Sequence, residues 1–310
     1  MYLRPDRLFC YACLSVGLLM LSGGCGGSGS PPQVDDGRLA VVATYSILGE
    51  WVQEVGGPRV KVVTLVGPGG DAHTYQPVPQ DSVSLKRASV VFENGLDFEG
   101  WLDKLFESSG SAAHRVAVTR GIDAQRIVTL GEIEELDPHV WHDPILAISM
   151  VQAIADALAE TDPANADEYR TRADDYIGEL RRLDAWIREQ TVRVPESRRV
   201  LVTTHDTFGY FADRYGFEVL SVMGSVSSEA ADPSAAEVAA VVQQIRARQV
   251  PAVFAENILS PRLTEQIARE AGVQLVGTLY TDALGAADSP GASYLSMMRF
   301  NVQTIVEAML

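Results

Sequence analysis

The sequence predicts an α/β fold of two lobes, each a mostly parallel sheet flanked by helices, joined by one long helix. Three observations lead to this prediction. From Leu39 onward, β-rich runs alternate with helical patterns, which is typical of βα units around parallel sheets. Residues 162–195 carry one helical pattern that is longer than a single small lobe needs. The alternation of strands and helices then resumes and continues to the end of the chain.

A signal peptide is predicted over residues 1–24. Arg4 and Arg7 precede a short apolar run, and small residues follow that run directly before Cys25. This order indicates a secretory signal rather than a membrane-spanning helix. The small residues before Cys25 also resemble the lipobox of bacterial lipoproteins. That resemblance implies cleavage before Cys25, lipidation of its thiol and anchoring to the outer face of a bacterial membrane; a plain secretory peptide is the alternative.

Residues 25–38 are predicted to hold the lipidated cysteine and a flexible tether rich in Gly, Ser and Pro. Cys10 and Cys13 lie inside the signal peptide, so the mature chain would keep only Cys25 and we expect no disulfide framework. With 310 residues, 46% of them hydrophobic, the chain can bury enough core for two domains. The formal net charge of −16 argues against a nucleic-acid partner.

The first lobe is predicted over residues 39–161. Its strand-like runs are short and rich in β-branched side chains, and a helical pattern through Trp51 and Val55 separates the first two. The predicted strands are residues 39–44, 59–66, 89–93, 114–118 and, as a further candidate, 126–130.

The linking helix is predicted over residues 162–195. Asp162 is a suitable N-cap, and Pro163 suits the first helical turn. Apolar residues then recur at intervals of three and four: Tyr169, Ala173, Tyr176, Leu180, Leu183 and Ile187. At about 1.5 Å per residue this helix would run roughly 45 Å, enough to join two lobes. The alternative is an oversized packing helix within one domain.

The second lobe is predicted over residues 196–310 and repeats the same alternation. Predicted helices begin at Phe208, Ser234 and Pro261, and a final helix closes the chain. The predicted strands are residues 199–204, 218–222, 252–255 and 274–280. The final helix runs through Met297, Val302 and Ile305.

Four side chains that follow strand-like runs are the candidate metal ligands: His73, His139, His205 and Asp282. Two lie in each half of the chain, so a cleft between two lobes can close on a single ion. In open parallel sheets, ligands bind at the carboxyl ends of the strands. Three imidazoles and a carboxylate suit a borderline divalent cation such as zinc and fill a tetrahedral shell without a position for catalytic water. This set predicts metal capture rather than metal-dependent catalysis.

Other ionisable residues near the candidate ligands receive different interpretations. His142 and His114 are treated as non-ligands, although His142 can serve as a nearby proton acceptor or an alternative contact. Asp143 and Asp206 are predicted to cap the helices that follow them rather than to bind metal. Glu256, at the end of a strand, is expected to be a neighbour of the site rather than a ligand.

Four segments that contain these residues resemble the ligand segments of the solute-binding lipoproteins of zinc and manganese ABC importers. They are Asp-Ala-His-Thr-Tyr at 71–75, Asp-Pro-His-Val-Trp at 137–141, Thr-His-Asp-Thr-Phe-Gly-Tyr-Phe at 204–211 and Tyr-Thr-Asp at 280–282. Residues 94–96 and 225–236 also match stretches common in that family. The likeness covers nearly everything after the tether, in the same order.

The resemblance implies one buried ion between two lobes, held by His73 and His139 from the first and by His205 and Asp282 from the second. It also implies an extracytoplasmic, periplasmic-type protein that delivers its ion to an ABC permease driven by a separate ATPase. A monomer is expected, with contact to the membrane through the lipid anchor.

Zinc is the favoured ion and manganese the alternative. Manganese-selective relatives often have a carboxylate where this chain has His205, and nitrogen-rich sites suit zinc better. Against zinc, many zinc-uptake relatives carry a histidine-rich acidic loop, whereas residues 116–136 contain acids but no histidine.

Two other functions remain as alternatives, a secreted zinc hydrolase and a binding protein for an organic chelate or haem. A secreted zinc hydrolase would use Glu256 to activate a bound water, but Asp282 as a fourth ligand removes the open position, and the His-Glu-x-x-His motif is absent from the sequence. An adhesin role is compatible with metal capture. A binding protein for an organic chelate or haem would want a roomier cleft with aromatic or arginine contacts. We therefore expect a transport component and not an enzyme.

Overall fold

The computed structural model describes residues 37–128, 134–229 and 233–310. The predicted signal peptide, Cys25 and residues 129–130 of a candidate strand lie outside the described residues. Within the described ranges, strands alternate with helices, and parallel pairing predominates. The α/β prediction is confirmed.

The sheet of the first lobe has four parallel strands. They are β1 (Leu39–Tyr45), β2 (Val60–Val66), β3 (Val90–Glu93) and β4 (His114–Ala117), in the order β2-β1-β3-β4. Consecutive residues of β1, Val41 and Val42, are both buried, so both faces of this sheet are covered. All four strands begin within one residue of the predicted positions.

The candidate strand at residues 126–130 does not join this sheet. Its described part is β5 (Arg126–Val128), which pairs antiparallel with β6 (Glu134–Leu136), a strand that the sequence analysis did not predict. Antiparallel neighbours need only a short turn between them, whereas a parallel neighbour requires a long crossover. After β6, the amide of Asp137 donates to the carbonyl of Gln125 at 2.9 Å, so the hairpin leads the chain to His139.

The helices of the first lobe bury one face each against its sheet and against one another. They are α1 (Ser46–Gly56), α2 (Pro79–Arg87), α3 (Leu102–Ser109) and α4 (Pro144–Thr161). Among the described residues, α4 alone is long and apolar enough to cross a membrane by length and composition. It packs against α1, and Met150, Ile154 and Leu158 contribute to the main hydrophobic core, which is typical of a core helix.

The long helix α5 (Ala166–Thr191) has 26 residues and is about 39 Å long at 1.5 Å per residue. Its apolar stripe is buried as the periodicity predicts, and it packs against α1 and α4. The prediction that Asp162 caps it is wrong. A 3-10 turn at Pro163–Asn165 comes first, and the Asp162 carboxylate instead accepts hydrogen bonds from Asn165 Nδ2 and Tyr169 Oη.

The second lobe has two parallel strand pairs, β7 (Val200–Thr203) with β8 (Glu218–Ser221), and β9 (Ala252–Glu256) with β10 (Gln274–Leu279). β7 lies beside β9. The helices are α6 (Gly209–Tyr215), α7 (Ala235–Ala247), α8 (Arg262–Ala271) and α9 (Tyr294–Met309). Ser234 caps α7, because its side chain accepts a hydrogen bond from the amide of Glu237.

One hydrophobic core extends through both lobes. It includes Val41 of β1, Leu180 of α5, Phe254 of β9 and Met297 of α9, all essentially buried. α9, the last helix of the second lobe, packs directly against α5. The long helix therefore contacts both halves of the fold, and the loops that leave the sheets meet at the seam between them.

Candidate metal centre

The structure brings His73, His139, His205 and Asp282 together at one buried point. These four residues follow β2, β6, β7 and β10, respectively. One possible ligand atom from each residue lies within 4.8 Å of the others. His73 is 8% exposed and the other three are fully buried. A position between these groups is thus shielded from solvent and faced by imidazole nitrogens and a carboxylate.

Three of the distances between possible ligand atoms are close to the edge length of a tetrahedral zinc site. Nε2 of His73 lies 3.3 Å from Nε2 of His139. Oδ2 of Asp282 lies 3.1 Å from Nε2 of His205 and 3.4 Å from Nε2 of His73. In a regular tetrahedron, zinc bonds of about 2.0–2.1 Å place neighbouring ligand atoms about 3.3–3.4 Å apart. These three distances therefore match a four-coordinate zinc site, and all four ligand atoms lie within 4.8 Å of one another.

Asp137 orients His139. Its Oδ1 accepts hydrogen bonds from the His139 amide at 3.0 Å and from ring Nδ1 at 2.7 Å. The Asn94 side chain donates to the carbonyl of Pro138 at 3.0 Å and holds the loop from the other side. With its proton on Nδ1, the ring presents the Nε2 lone pair to the site, which is the tautomer that a metal ligand needs.

Glu256 orients His205 in the same manner. One carboxylate oxygen accepts from the amides of Thr204 at 2.6 Å and His205 at 3.0 Å, and the other accepts from His205 Nδ1. Glu256 is buried at the end of β9, next to β7. As expected, it is a neighbour of the candidate ligands and does not belong to the cluster itself.

His73 is fixed by its loop and by an aromatic wall. Oδ1 of Asp71 accepts from the His73 amide at 2.9 Å, and Trp101 donates from Nε1 to the carbonyl of Ala72 at 2.7 Å. The His73 ring meets the ring of Phe98 edge to face, with centroids 4.5 Å apart. Apolar packing on this side leaves the ring few orientations and keeps water away.

Asp282 is held by contacts from both lobes, two from the second and one from the first. The amide of Thr281 donates to Asn257 Oδ1 at 2.9 Å. Trp141, in the loop of the first lobe, donates from Nε1 to the carbonyl of Thr281 at 3.0 Å. Oγ1 of Thr207 donates to Oδ1 of Asp282 at 3.2 Å. Asp282 is thus anchored through the backbone of the preceding residue, Thr281, and through one of its own carboxylate oxygens.

The charges of the cluster shift the pKa values of its members in opposite directions. Burial lowers the pKa of His139, but the Asp282 and Asp137 carboxylates outweigh burial and raise it to about 9. Burial likewise lowers the pKa of His205, whereas Glu256 and Asp282 raise it well above its ordinary value. For His73, burial prevails and the pKa falls.

Burial raises the pKa of Asp282, but the neighbouring His205 and His139 hold it well below its ordinary value. Asp282 therefore remains an anion deep in the protein. A buried anion requires a cation beside it, either protonated imidazole or a metal ion. Protons and a divalent ion thus compete for the same imidazole nitrogens.

Of the two aspartates predicted to be helix caps, one is a cap and the other is not. Asp143 caps α4, since its side chain accepts from the amide of Ile145 at 2.8 Å. The predicted cap at Asp206 is wrong: α6 starts only at Gly209, and Oδ1 of Asp206 is buried without a hydrogen-bond partner among the described residues. Within those residues His142 and His114 lie outside the candidate cluster. His114 is exposed, whereas His142 is buried beside the site.

The sequence analysis assigned no role to Asp71, Asp137 or Thr207. A signal for the first two was present, because an aspartate stands two residues before a histidine in both Asp71-Ala72-His73 and Asp137-Pro138-His139. At this spacing the aspartate side chain accepts from the histidine amide in both loops. No local pattern points to Thr207, because its partners Asp282 and His142 are 75 and 65 residues away.

Comparison with known families gives one match that covers most of the chain. Residues 41–308 match the family described as ZnuA, zinc-uptake complex component A, periplasmic. The matched span contains all four candidate ligands.

Known proteins and solved structures that resemble most of this chain are also metal-binding proteins. The chain is 35% identical over 306 residues to the zinc-binding protein TroA of Treponema pallidum, covering 97% of both chains. It is 32% identical over 300 residues to the manganese-binding lipoprotein MntA of Halalkalibacterium halodurans, covering 97% of this chain and 98% of that protein. The solved structure of the periplasmic zinc-binding protein TroA from Treponema pallidum superposes with a TM-score of 0.82 and 33% identity, covering 88% of this chain and 99% of that one.

Proposed function

Because this chain belongs to the ZnuA family of periplasmic zinc-uptake components, we propose that it captures one zinc ion outside the cytoplasm and delivers it to an ABC permease. At the coarser level it is a metal-binding substrate-binding protein of an ABC transporter and not an enzyme. The ion is cargo: it must be held tightly enough to be captured and released when the protein docks on its permease.

The proposed ligands are His73, His139, His205 and Asp282. The observation that carries the proposal is the buried cluster in which their ligand atoms lie within 4.8 Å of one another. Carboxylates on the Nδ1 side of His139 and His205 support it, because metal-binding histidines usually donate their second ring nitrogen to such a partner.

Zinc is proposed over manganese on the chemistry of the donor set. Three nitrogens and one carboxylate suit a four-coordinate, borderline ion, whereas manganese prefers more oxygen ligands. The relatives do not decide between them, since one is named for zinc and another for manganese. Manganese is therefore the second candidate.

The proposal includes a location and partners. Cys25 carries the lipid after removal of residues 1–24, and residues 25–38 tether the folded body to the membrane surface. A relative named as a lipoprotein and the periplasmic family description support this location. The permease and its separate ATPase are the partners, and the protein acts as a monomer. The proposed lobes are residues 39–161 and 196–310, with the linking segment at 162–195.

A secreted zinc hydrolase is the alternative from another class, and the geometry gives it little support. Its general base would be Glu256, whose two oxygens already accept from Thr204, from the His205 amide and from the His205 ring. A carboxylate that orients a ligand in this manner is poorly placed to activate water.

Metal titration of the protein tests the proposal. Protein stripped of metal should bind one zinc ion per chain, in preference to manganese, in competition with a chromophoric chelator. Affinity should fall in acid, because protons compete for the imidazole nitrogens. His73→Ala, His139→Ala and His205→Ala should each lose zinc binding, while the exposed His114→Ala serves as the matched control and keeps it. Full retention in any of the first three variants removes that residue from the site.

A further inference from the structure

Two buried side chains outside the ligand cluster form a chain of hydrogen bonds to Asp282. Oγ1 of Thr207 lies 3.2 Å from Oδ1 of Asp282, and Nε2 of His142 lies 3.3 Å from the same Thr207 oxygen. All three side chains are fully buried. The His142 ring is held against Phe208, with ring centroids 4.4 Å apart. From the sequence, His142 is expected to be a non-ligand that can serve as a nearby proton acceptor or an alternative contact.

The chemistry of these groups sets the direction of both hydrogen bonds. An ionised carboxylate only accepts, so the single hydroxyl proton of Thr207 goes to Asp282. The hydroxyl can then only accept from His142, which must carry its proton on Nε2. Burial lowers the pKa of His142 to about 3, so the ring is neutral and has one N–H to give. Its other nitrogen, Nδ1, has no partner among the described residues, which agrees with this assignment.

The two oxygens of Asp282 have different neighbours. Oδ2 lies closest to the imidazoles, 3.1 Å from His205 Nε2 and 3.4 Å from His73 Nε2. Oδ1 is 3.7 Å from Nε2 of His139 and receives the Thr207 hydroxyl. The hydrogen bond therefore fixes the rotation of the carboxylate, with Oδ1 held toward Thr207 and Oδ2 toward the imidazoles of His205 and His73.

We infer that Thr207, held by His142, is a specificity-determining positioning residue that limits Asp282 to one coordinating oxygen and so favours zinc over manganese; this inference rests on the proposed function. With one oxygen from Asp282 and three imidazoles, the shell has four ligands, the number that closed zinc sites use. If both oxygens bound, the shell would be larger and richer in oxygen, which suits manganese better. His142 acts on Asp282 only through Thr207, because it fixes the rotamer of the Thr207 side chain and the direction of its hydroxyl proton.

Three variants of the full-length protein test the inference. Thr207→Val keeps the shape of the side chain and removes the hydroxyl, while Thr207→Ser keeps the hydroxyl and is the matched control. His142→Phe keeps a flat ring and removes the Nε2 donor. Zinc and manganese affinities are measured separately by competition with a chelator. If Thr207→Val does not fold, Thr207→Ala replaces it, and the same two affinities are measured.

The expected result is a change in preference and not only in affinity. Loss of a partner that orients a metal ligand typically costs about 10–100-fold in affinity, so the zinc affinity of Thr207→Val should fall by at least about tenfold. Manganese affinity should be unchanged or higher, because the second oxygen becomes free to bind. Thr207→Ser should return the zinc-to-manganese ratio to that of the wild type. His142→Phe should shift the ratio in the same direction as Thr207→Val, by a smaller factor.

Cobalt provides a readout that a purely structural role would not change. Co²⁺ in a four-coordinate site absorbs visible light strongly, and the absorption weakens when a fifth ligand joins. We expect strong absorption in the wild type and Thr207→Ser, and weaker absorption in Thr207→Val.

The inference is overturned if Thr207→Val keeps the wild-type metal ratio and cobalt spectrum, or if it loses affinity for zinc and manganese by the same factor. Failure of the proposed function looks different. Wild-type protein that prefers manganese to zinc contradicts the proposed cargo, whereas the inference depends on the difference between Thr207→Val and Thr207→Ser.

Discussion

Each histidine in the cluster donates its backbone amide to a carboxylate that lies outside the cluster. Glu256 is the clearest case, because it accepts three hydrogen bonds from two consecutive residues, Thr204 and His205. Both the backbone and the ring of His205 are thereby fixed by one side chain from the neighbouring strand. Asp137 does the same for His139 within a single loop.

Replacement of Glu256 by glutamine should weaken metal binding without removing a proposed ligand. The amide of glutamine accepts through only one atom, so one of the three donors loses its acceptor. We expect Glu256→Gln to bind zinc about 10–100-fold more weakly, as measured by chelator competition. Glu189 is exposed, and Glu189→Gln is the control, for which we expect an unchanged zinc affinity. Wild-type affinity in Glu256→Gln would show that Glu256 does not position His205.

Glu99 is a buried carboxyl group outside the cluster, and its titration should make the stability of the fold depend on pH. Burial raises its pKa from 4.5 to about 7, although the Thr44 hydroxyl and the Asn94 amide, which donate to it, pull the pKa down. The folded state thus binds this proton more tightly than the unfolded state does. The stability it contributes is complete below about pH 4.5 and is lost as the pH rises through about 7.

The measurement is the free energy of unfolding of metal-free protein, with and without Glu99→Gln. The wild-type value minus the variant value should fall by about 2 kcal/mol between about pH 5 and pH 7.5. Other titrating groups contribute equally to both proteins and cancel. A difference that does not vary with pH would mean that Glu99 titrates at its ordinary pKa in the fold.

At the scale of elements, α5 shows the most complete agreement between pattern and structure. Every residue of the predicted apolar stripe is buried in the main core, from Tyr169 to Ile187. The start of the helix differs, because Asp162 accepts from Asn165 and Tyr169 side chains and a 3-10 turn intervenes. An apolar stripe reports burial along a whole helix, whereas a cap depends on the conformation of one residue.

Because α5 packs against helices of both lobes, damage to it should destabilise the whole fold. Leu183 is fully buried, and Leu183→Ala should lower the free energy of unfolding by about 2–5 kcal/mol. Chemical denaturation followed by circular dichroism measures the change. Arg181→Ala, on the exposed face of the same helix, should change it by less than about 0.5 kcal/mol. Unfolding of Leu183→Ala in two separate steps, each with about half of the circular dichroism change, would contradict a core shared between the lobes.

The hairpin of β5 and β6 marks where element prediction failed. A run of β-branched residues suggests a strand without saying which partner it takes. Pairing with β6 made it antiparallel and separated it from the four-stranded sheet. The pairing partner of a short strand is determined by tertiary contacts. The residues of this segment alone therefore could not show which strand it pairs with.

At the scale of the whole molecule, direct contacts bridge the seam around the cluster. The amide of Gly69 donates to the carbonyl of Leu284 at 2.9 Å, and the Leu284 amide donates to Oγ of Ser46 at 2.9 Å. Oγ of Ser228 donates to Oδ2 of Asp71 at 2.7 Å, beside the loop of His73. Together with the shared core, these contacts oppose a wide separation of the lobes.

We therefore expect only a small change of shape on metal binding. Small-angle scattering of metal-free and zinc-loaded protein should give nearly the same radius of gyration, and superposed crystal structures should differ mainly in the loops at the seam. The physical reason is that hinge opening would expose part of a continuous hydrophobic core to water. A wide hinge closure on loading would contradict this expectation.

The α/β class, the approximate bounds of most strands and the four candidate ligands could be predicted from the amino-acid sequence, because these depend on local periodicity, turn chemistry and residue type. His73 and Asp282 could be named without coordinates, since each follows a strand-like run at a loop where ligands gather. Resemblance to a family of metal-binding lipoproteins strengthened that selection through motifs that are themselves local.

The groups that support those ligands became visible only when the chain was folded. Asp206 is not a cap, Glu256 holds His205, and Thr207 links His142 to Asp282. Partners separated by 51 to 75 residues leave no periodic pattern in the chain, because a hydrogen bond depends on where two parts of the fold meet and not on their spacing in sequence.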